Sequence, residues 1–518
     1  MLTEILTTFF GICFAVFYWQ RRQKMAIFNK MAIPGPEPNF LFGNLLSFWK
    51  KSLHRAYQDW AKQYGKTFGY FEGPSPVLVT SDVDLLHEVL VKNFKKFHSR
   101  KVWPVQVDPD NDEDVHMFFA RGERWRRLRS IANPAFSTVK MRQMSPLINQ
   151  QINNLIDVIA TKNEQSEEFN MYELLQRLTL DTIAKCGFGL DANSVEQPND
   201  EYLENCRGVI NDTTKRPILF MLGFLFPALH SLWINIYYLL GKIKFNPVIW
   251  LEKRIEAVIN ERKQQQRAPN KSVLMDLFLQ SEWDPQKTEE EVLDDNKDVV
   301  DIIAKKRFLS TEELRSQCLL FLLSGYETTS TAMAYLVYEM AANPDMQQKL
   351  QQEIDQHFQT NTHEPGYDTV MKMEYLDMVW CETLRKYPLA STVVARQCME
   401  STEVGGILIP EGMIIQANIW DVHYNSTFWG EETQKFDPER FREESKRSRH
   451  PMAWIPFGGG PRTCVGLRLA QLEGKMTIVR VFKEFTLSLG SSSQGPLEVV
   501  EGATIFPKNG VHVKAFRR

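Results

Sequence analysis

Apolar and polar positions follow several distinct rhythms along this chain. Ile5 to Trp19 is almost uniformly apolar and stops at Gln20-Arg21-Arg22-Gln23-Lys24. Thr67–Glu72 and Pro76–Thr80 flank Gly73-Pro74 and predict a strand pair. Ile218 to Leu240 carries no Asp, Glu, Lys or Arg, whereas Glu289 to Lys306 is rich in charge, as an exposed connector would be. Thr311 to Ala342 reads as one long helix stopped by Asn343-Pro344. Thr392 to Arg396 and Gly406 to Asn418 alternate like strands around the turn Pro410-Glu411-Gly412. After Gly466, the positions Leu467, Leu469, Ala470, Leu472, Met476, Val479 and Phe482 recur at helical spacing.

Two of these stretches point to a membrane. Ile5 to Trp19 is somewhat short of the ~20 residues a spanning helix wants, so the headgroup region must take up its ends. A cleaved signal peptide would carry positive charge before the apolar run; here Glu4 precedes it and the basic residues follow. Residues 1–24 are therefore read as an uncleaved signal anchor, with everything beyond Trp19 in the cytosol. Residues 25–38 form a linker whose Ile33-Pro34-Gly35-Pro36-Glu37-Pro38 cannot be helical and holds the chain extended. Ile218 to Leu240 is long enough to span, but Pro227, His230 and Asn235 interrupt it. A second span would also put Trp125 and Cys464 on opposite sides of the bilayer. The favoured reading is a pair of short helices around Pro227 that dip into the bilayer surface and cap a substrate channel.

Composition narrows the class. With 43% hydrophobic residues, 24% charged and a net charge of only −3, nothing favours nucleic acid as a partner. Seven scattered cysteines do not look like a disulfide framework and suit a reducing compartment. No Cys-x-x-Cys or His-x-x-x-His spacing exists for zinc. Asp108 to Asp114 imitates a calcium loop only briefly: Glu113 stands where glycine is needed and Phe119 where glutamate is needed.

The densest chemistry lies at Phe457-Gly-Gly-Gly-Pro-Arg-Thr-Cys-Val-Gly466. Glycines and proline build an irregular loop that a flat ligand can approach closely. Cys464 falls between that loop and a helix N-terminus, where outward N–H groups and the helix dipole favour thiolate, the form that binds metal. A phosphate loop is excluded, because no Lys-Ser or Lys-Thr follows Gly466.

The string Phe457-x-x-Gly460-x-Arg462-x-Cys464-x-Gly466 matches the haem-binding signature of the cytochrome P-450 family at every fixed position, and the chain resembles that family. Further motifs follow in the family's order. Trp125 and Arg129, four apart on one helix face, resemble the Trp-x-x-x-Arg pair that donates to a haem propionate, while Arg126 and Arg127 lie elsewhere on the surface, where they can join a basic patch facing an acidic redox partner. Ser324-Gly325-Tyr326-Glu327-Thr328-Thr329 resembles the oxygen-activating motif, with Ser324 at its usual Ala or Gly position. Glycine and paired threonines weaken a helix, which suggests a local opening where Glu327 and Thr328 relay protons to dioxygen. Glu382-x-x-Arg385 and the Arg440 of Pro438-Glu439-Arg440-Phe441 resemble the buried charged triad that positions the loop under the haem. Arg396 resembles a second propionate ligand and Arg100 another.

The resemblance implies a mainly α fold with small β-sheets, preceded by an N-terminal anchor helix, with residues 39–518 as one haem-binding catalytic domain. It implies haem b with Cys464 as axial thiolate, and NADPH–cytochrome P-450 reductase as electron donor, with cytochrome b5 as a second one. The implied location is the endoplasmic reticulum membrane, catalytic domain in the cytosol. The implied substrate is a lipophilic small molecule: xenobiotic, steroid or fatty acid. Phe118, Phe119, Leu389, Ala390, Ser391 and Phe506 are the cavity residues placed by resemblance. Two alternatives stand beside monooxygenation: an isomerase or lyase on the same scaffold, and a membrane-anchored haem-binding or electron-transfer protein.

Overall fold

The apolar run near the start of the chain is helical, with α1 spanning Leu2–Met25. Its Phe9, Phe10, Phe14 and Trp19 side chains are exposed. The structure, a computed structural model, describes residues 2–518 except 104, 106–107, 191, 198–199, 211–216, 244–245, 265–273, 283–307, 359–363 and 503. Among the described residues no single helix is long and apolar enough to cross a membrane. The charged connector read over 289–306 lies outside the described residues.

Strands β1 (Thr67–Glu72) and β2 (Ser75–Thr80) form the expected hairpin, in register from Thr67 opposite Thr80 to Glu72 opposite Ser75. Gly73 turns the corner at φ +59°, a value that suits glycine. β2 pairs in parallel with Ile414–Ala417, and that strand pairs with Ala395–Gln397, hereafter β4 and β3. The first expected strand starts late, because Ser391–Val393 forms a 3-10 turn. The buried Gln416 amide explains this by donating to the Ser391 and Val394 carbonyls at 3.1 and 3.4 Å, drawing both out of a ladder.

The helices that frame the core are α2 (Gly122–Ala132), α3 (Thr138–Glu164), α4 (Met171–Ile183), α5 (Glu201–Ile210), α6 (Pro217–Leu225), α7 (His230–Ile243), α8 (Pro247–Gln264), α9 (Thr311–Ala342), α10 (Pro344–His357), α11 (Glu374–Lys386) and α12 (Leu467–Glu484). α6 and the stretch from Pro227 to Gly241 are bent by 111° at the expected break. Proline at 227 has no N–H to donate to the preceding turn, which weakens the helix at that point.

α9 is the axis of the fold, packed on α4, α12 and α8. It starts at a capping box: the Glu313 N–H donates to Ser310 Oγ at 3.1 Å, and the Ser310 N–H donates to Glu313 Oε2 at 3.3 Å. It stays helical through Gly325 and Thr328, so the expected opening is not there. The Ser324, Thr328, Ser330 and Thr331 hydroxyls donate to carbonyls four residues earlier, at 2.6–2.9 Å. Those bonds add to the helix ladder without replacing it.

Candidate active site

One cavity gathers most of the chemistry-bearing side chains. Ser324, Gly325, Thr328 and Thr329 of α9 form one wall, and Pro456 to Gly458 with Arg462 to Gly466 form the facing one. The loop holds its shape through the Cys464 N–H, which donates to the Phe457 carbonyl at 3.0 Å. Gly460 sits at φ +69°, and a Cβ there would lie 1.8 Å from the Leu90 carbonyl oxygen. Only glycine fits that close approach.

Cys464 Sγ opens onto this cavity, deep in the protein. The Gly466 and Leu467 N–H groups and the Arg129 and Arg100 guanidiniums favour its thiolate, as the sequence suggested. Burial acts against them and is the largest effect, so the thiol's pKa is pushed up.

Arg100, Arg129, Arg396 and Arg462 line the same cavity. Arg396 is fully buried, donates from Nη1 to the Ala395 carbonyl at 2.9 Å and leaves Nε without a partner. Arg462 donates to the Phe118 and Ala120 carbonyls, stacks 4.7 Å over the Trp125 ring and also leaves Nε without a partner. Arg100 donates to the Val393 and Arg462 carbonyls and lies 4.4 Å over the Phe118 ring. Burial and mutual repulsion push Arg462 down to about 8; burial pushes Arg100 down to about 10 and Arg396 well below its ordinary value. Four guanidiniums brought together around apolar walls require an anionic guest. A flat dianion such as haem b fits this donor set.

Several expected residues fall elsewhere. Glu327 leaves α9 on another side and lines a second, polar cavity with Tyr172, Gln176, Arg207, Tyr326 and Phe506. It accepts from the Tyr172 hydroxyl at 2.6 Å and from Gln176 Nε2 at 3.1 Å, and burial pushes its pKa up. Phe506 is thus beside Glu327 and outside the lining of the Cys464 cavity. Phe118, Leu389 and Ala390 do line that cavity. Phe119 instead packs 5.0 Å from His116, and Ser391 is buried behind the lining. Arg127 is not a free surface cation either: with Arg124 it engages the buried Glu313, at 2.6 and 2.9 Å.

The triad residues come together away from the cavity. Glu382 and Arg385 are fully buried and pair through two bonds of 2.6 and 2.8 Å. Arg385 also donates to the His423 and Thr433 carbonyls, and Arg440 Nε stands 3.8 Å from Glu382. Sequence reasoning missed His423, which accepts the Ile455 N–H at Nε2 (3.1 Å) and meets the Arg385 carbonyl at Nδ1 (3.2 Å). It also missed Glu473 at the cavity's edge, whose only sequence signal was a charge among the apolar positions of α12.

A cysteine facing a hydroxyl-bearing helix across an apolar, guanidinium-edged cavity defines a haem-thiolate enzyme. A cytochrome P-450 family model matches residues 33–514, so the chain belongs to that family of haem b monooxygenases with a cysteine thiolate axial ligand. The chain is 32% identical over 510 residues to cytochrome P-450 CYP13A3 of Caenorhabditis elegans, covering 96% of this chain and 94% of that protein. It is 32% identical over 491 residues to cytochrome P-450 3A12 of Canis lupus familiaris, covering 94% and 92%. Cytochrome P-450 3A29 of Sus scrofa is 31% identical over 495 residues, covering 95% and 92%.

Proposed function

We propose that Cys464 is the axial ligand, that Trp125, Arg129, Arg396, Arg462 and Arg100 hold the propionates, and that the enzyme oxidises a lipophilic small molecule. The observation that carries this reading is the convergence of Cys464 and four guanidiniums on one cavity. Bound there, haem b supplies dioxygen activation and insertion of one oxygen atom into a C–H bond. The protein's own part is to exclude water, place the substrate and move protons. Leu320, Phe321, Met117, Phe118, Leu389, Ala390 and Val393 give the substrate an apolar surround.

Thr328 is the proton-handling hydroxyl inside the cavity. Its Oγ1 donates to the Ser324 carbonyl at 2.8 Å, and the residue lines the cavity. Glu327 is the acid behind it, held in the second cavity by Tyr172 and Gln176. Because burial raises its pKa, it carries a proton more readily than a solvated carboxylate. Reaching Thr328 requires the carboxyl to leave that clasp.

Electrons come from NADPH–cytochrome P-450 reductase, with cytochrome b5 as a second donor, and the enzyme works at the endoplasmic reticulum membrane. α1 serves as an anchor, its ends accommodated by headgroups, and residues 25–38 as the hinge. Two observations support this arrangement. The apolar side chains of α1 are exposed, and its Arg21 donates to the Leu225 carbonyl at 3.3 Å, joining α1 to the bent apolar pair.

The deciding test is incubation with reductase, NADPH and a mixed lipophilic extract under isotopically labelled dioxygen. A product carrying one labelled atom is expected; products that change without label would point to an isomerase or lyase.

A further inference from the structure

Behind one wall of the Cys464 cavity, two tyrosines lie face to face. The Tyr335 ring of α9 and the Tyr387 ring, directly after α11, stack with centroids 4.2 Å apart and planes 13° from parallel. Both are buried, Tyr335 completely. Their helices fix their place relative to the cavity. Ala332 of α9 and Leu384 of α11 line it, and each tyrosine follows three positions later, within one helical turn.

The two hydroxyls differ. Tyr387 donates to Glu339 Oε1 at 2.5 Å, whereas the Tyr335 hydroxyl is buried without a partner. The same Glu339 oxygen accepts from Lys386 Nζ at 2.8 Å, so a buried carboxylate faces the Tyr387 phenol. A stack alone would be ordinary core packing. The carboxylate on one hydroxyl gives it chemistry. Taking an electron from a buried phenol leaves a cation in apolar surroundings, which is costly. Moving the phenol's proton to Glu339 in the same step removes that cost, and the second ring shares the unpaired electron. Tyr335 cannot act in this way, because nothing accepts its proton.

We propose that Tyr387, stacked on Tyr335 and bonded to Glu339, is a redox site that returns an electron to the cofactor when the cavity holds no substrate and a peroxide has oxidised it. Hydrogen peroxide withdraws two electrons from the haem protein, takes up two protons from solvent and becomes two water molecules. Tyr387 gives back one of those electrons. Its O–H bond breaks, the proton passes to Glu339 Oε1 to form a carboxylic acid, and a neutral tyrosyl radical remains. Lys386 is 19% exposed, so solvent can hold its charge once Glu339 is neutral. A later electron delivered to the cofactor reaches the radical, and Glu339 returns the proton. The site thereby spares Cys464 and Met117, two oxidisable side chains of the cavity lining. This rests on haem b occupying the Cys464 cavity.

The test is rapid-freeze electron paramagnetic resonance of the substrate-free, full-length holoenzyme mixed with hydrogen peroxide. Wild type should give an organic radical whose spectrum narrows when the protein carries ring-deuterated tyrosine. Tyr387→Phe keeps the ring and the stack and should lose this signal. Tyr335→Phe should keep it. Glu339→Gln can accept a hydrogen bond but not a proton and should lose it; if that variant does not fold, wild type and the two phenylalanine variants still decide the matter. Bleaching of the haem absorbance by peroxide should be several-fold faster in Tyr387→Phe than in wild type. The carbon-monoxide difference spectrum reports separately whether each sample holds its cofactor at Cys464, so a failed tyrosine site is distinguishable from a failed cofactor site. A wild type without a deuteration-sensitive radical, or a signal of equal size in Tyr387→Phe, would overturn the proposal even with a normal carbon-monoxide spectrum.

Discussion

Glu327 and Thr328 are neighbours in sequence, yet their side chains serve different cavities. The hydroxyl lines the Cys464 cavity and the carboxyl a polar cavity behind α9. Bonds from Tyr172 and Gln176 hold the Glu327 carboxyl in that second cavity. Proton delivery by this pair therefore needs the Glu327 side chain to move. Thr328→Ala and Glu327→Gln should each lower product formation by roughly 10²-fold, the usual contribution of a positioned proton donor. NADPH consumption should fall less, the difference appearing as peroxide. Tyr172→Phe frees the carboxyl from its 2.6 Å bond and should shift the pH profile of coupling without emptying the cavity. A Glu327→Gln enzyme with full coupling would remove the acid from the mechanism.

Cys464→Ser should abolish the thiolate signature of the reduced carbon-monoxide complex while leaving far-ultraviolet circular dichroism intact. The side chain opens onto the cavity and supports little packing, so the change is chemical and not structural. Retention of the signature would move the ligand elsewhere.

Gly460→Ala should be far more damaging than its size suggests. The added carbon would collide with the Leu90 carbonyl oxygen at 1.8 Å, and φ +69° disfavours any L side chain. Backbone strain of this kind costs about 1–3 kcal/mol before the collision is counted. Urea denaturation and cofactor retention should both decline; a variant as stable as wild type would show that the loop has another conformation.

Arg385→Leu strands a fully buried Glu382 carboxylate and should destabilise the protein by about 3–5 kcal/mol. Arg385→Lys should fare little better, because an ammonium cannot reproduce the two-bond pairing and the bonds to the His423 and Thr433 carbonyls at once. Equal urea midpoints for Arg385→Lys and wild type would show that the fork geometry is dispensable.

His423 makes the same region sensitive to acid. Burial and the Arg385 charge push its pKa down to about 3, and its neutral ring donates at Nδ1 and accepts at Nε2. A folded pKa below the ordinary 6.5 means that the unfolded chain binds the extra proton first. Stability is therefore full above 6.5 and declines as the pH falls toward about 3. His423→Gln should flatten that decline in urea melts, if it folds; an unchanged slope would assign acid sensitivity to other groups.

The Cys464 loop, the α9 limits, the first hairpin and the break at Pro227 were all legible in the chain. Each depends on local rules: glycine tolerance, a capping box at Ser310 and Glu313, strand alternation, proline's missing donor. The family signature could be read in the same way, because a ligand cysteine between a glycine loop and a helix is a short-range arrangement. What the chain could not reveal was direction and environment. Glu327 was expected beside Thr328, but the Tyr172 and Gln176 clasp from α4 places it in another cavity. The Cys464 thiol meets the helix-terminal N–H groups expected to favour its thiolate, and the burial that opposes them comes from distant elements. Arg127 was expected on the surface, and a carboxylate from α9 claims it. Phe506 and Glu473 were settled only by which segments pack together. Local conformation follows from neighbours in sequence. A side chain's surroundings, and therefore its charge and its use, follow from residues hundreds of positions away.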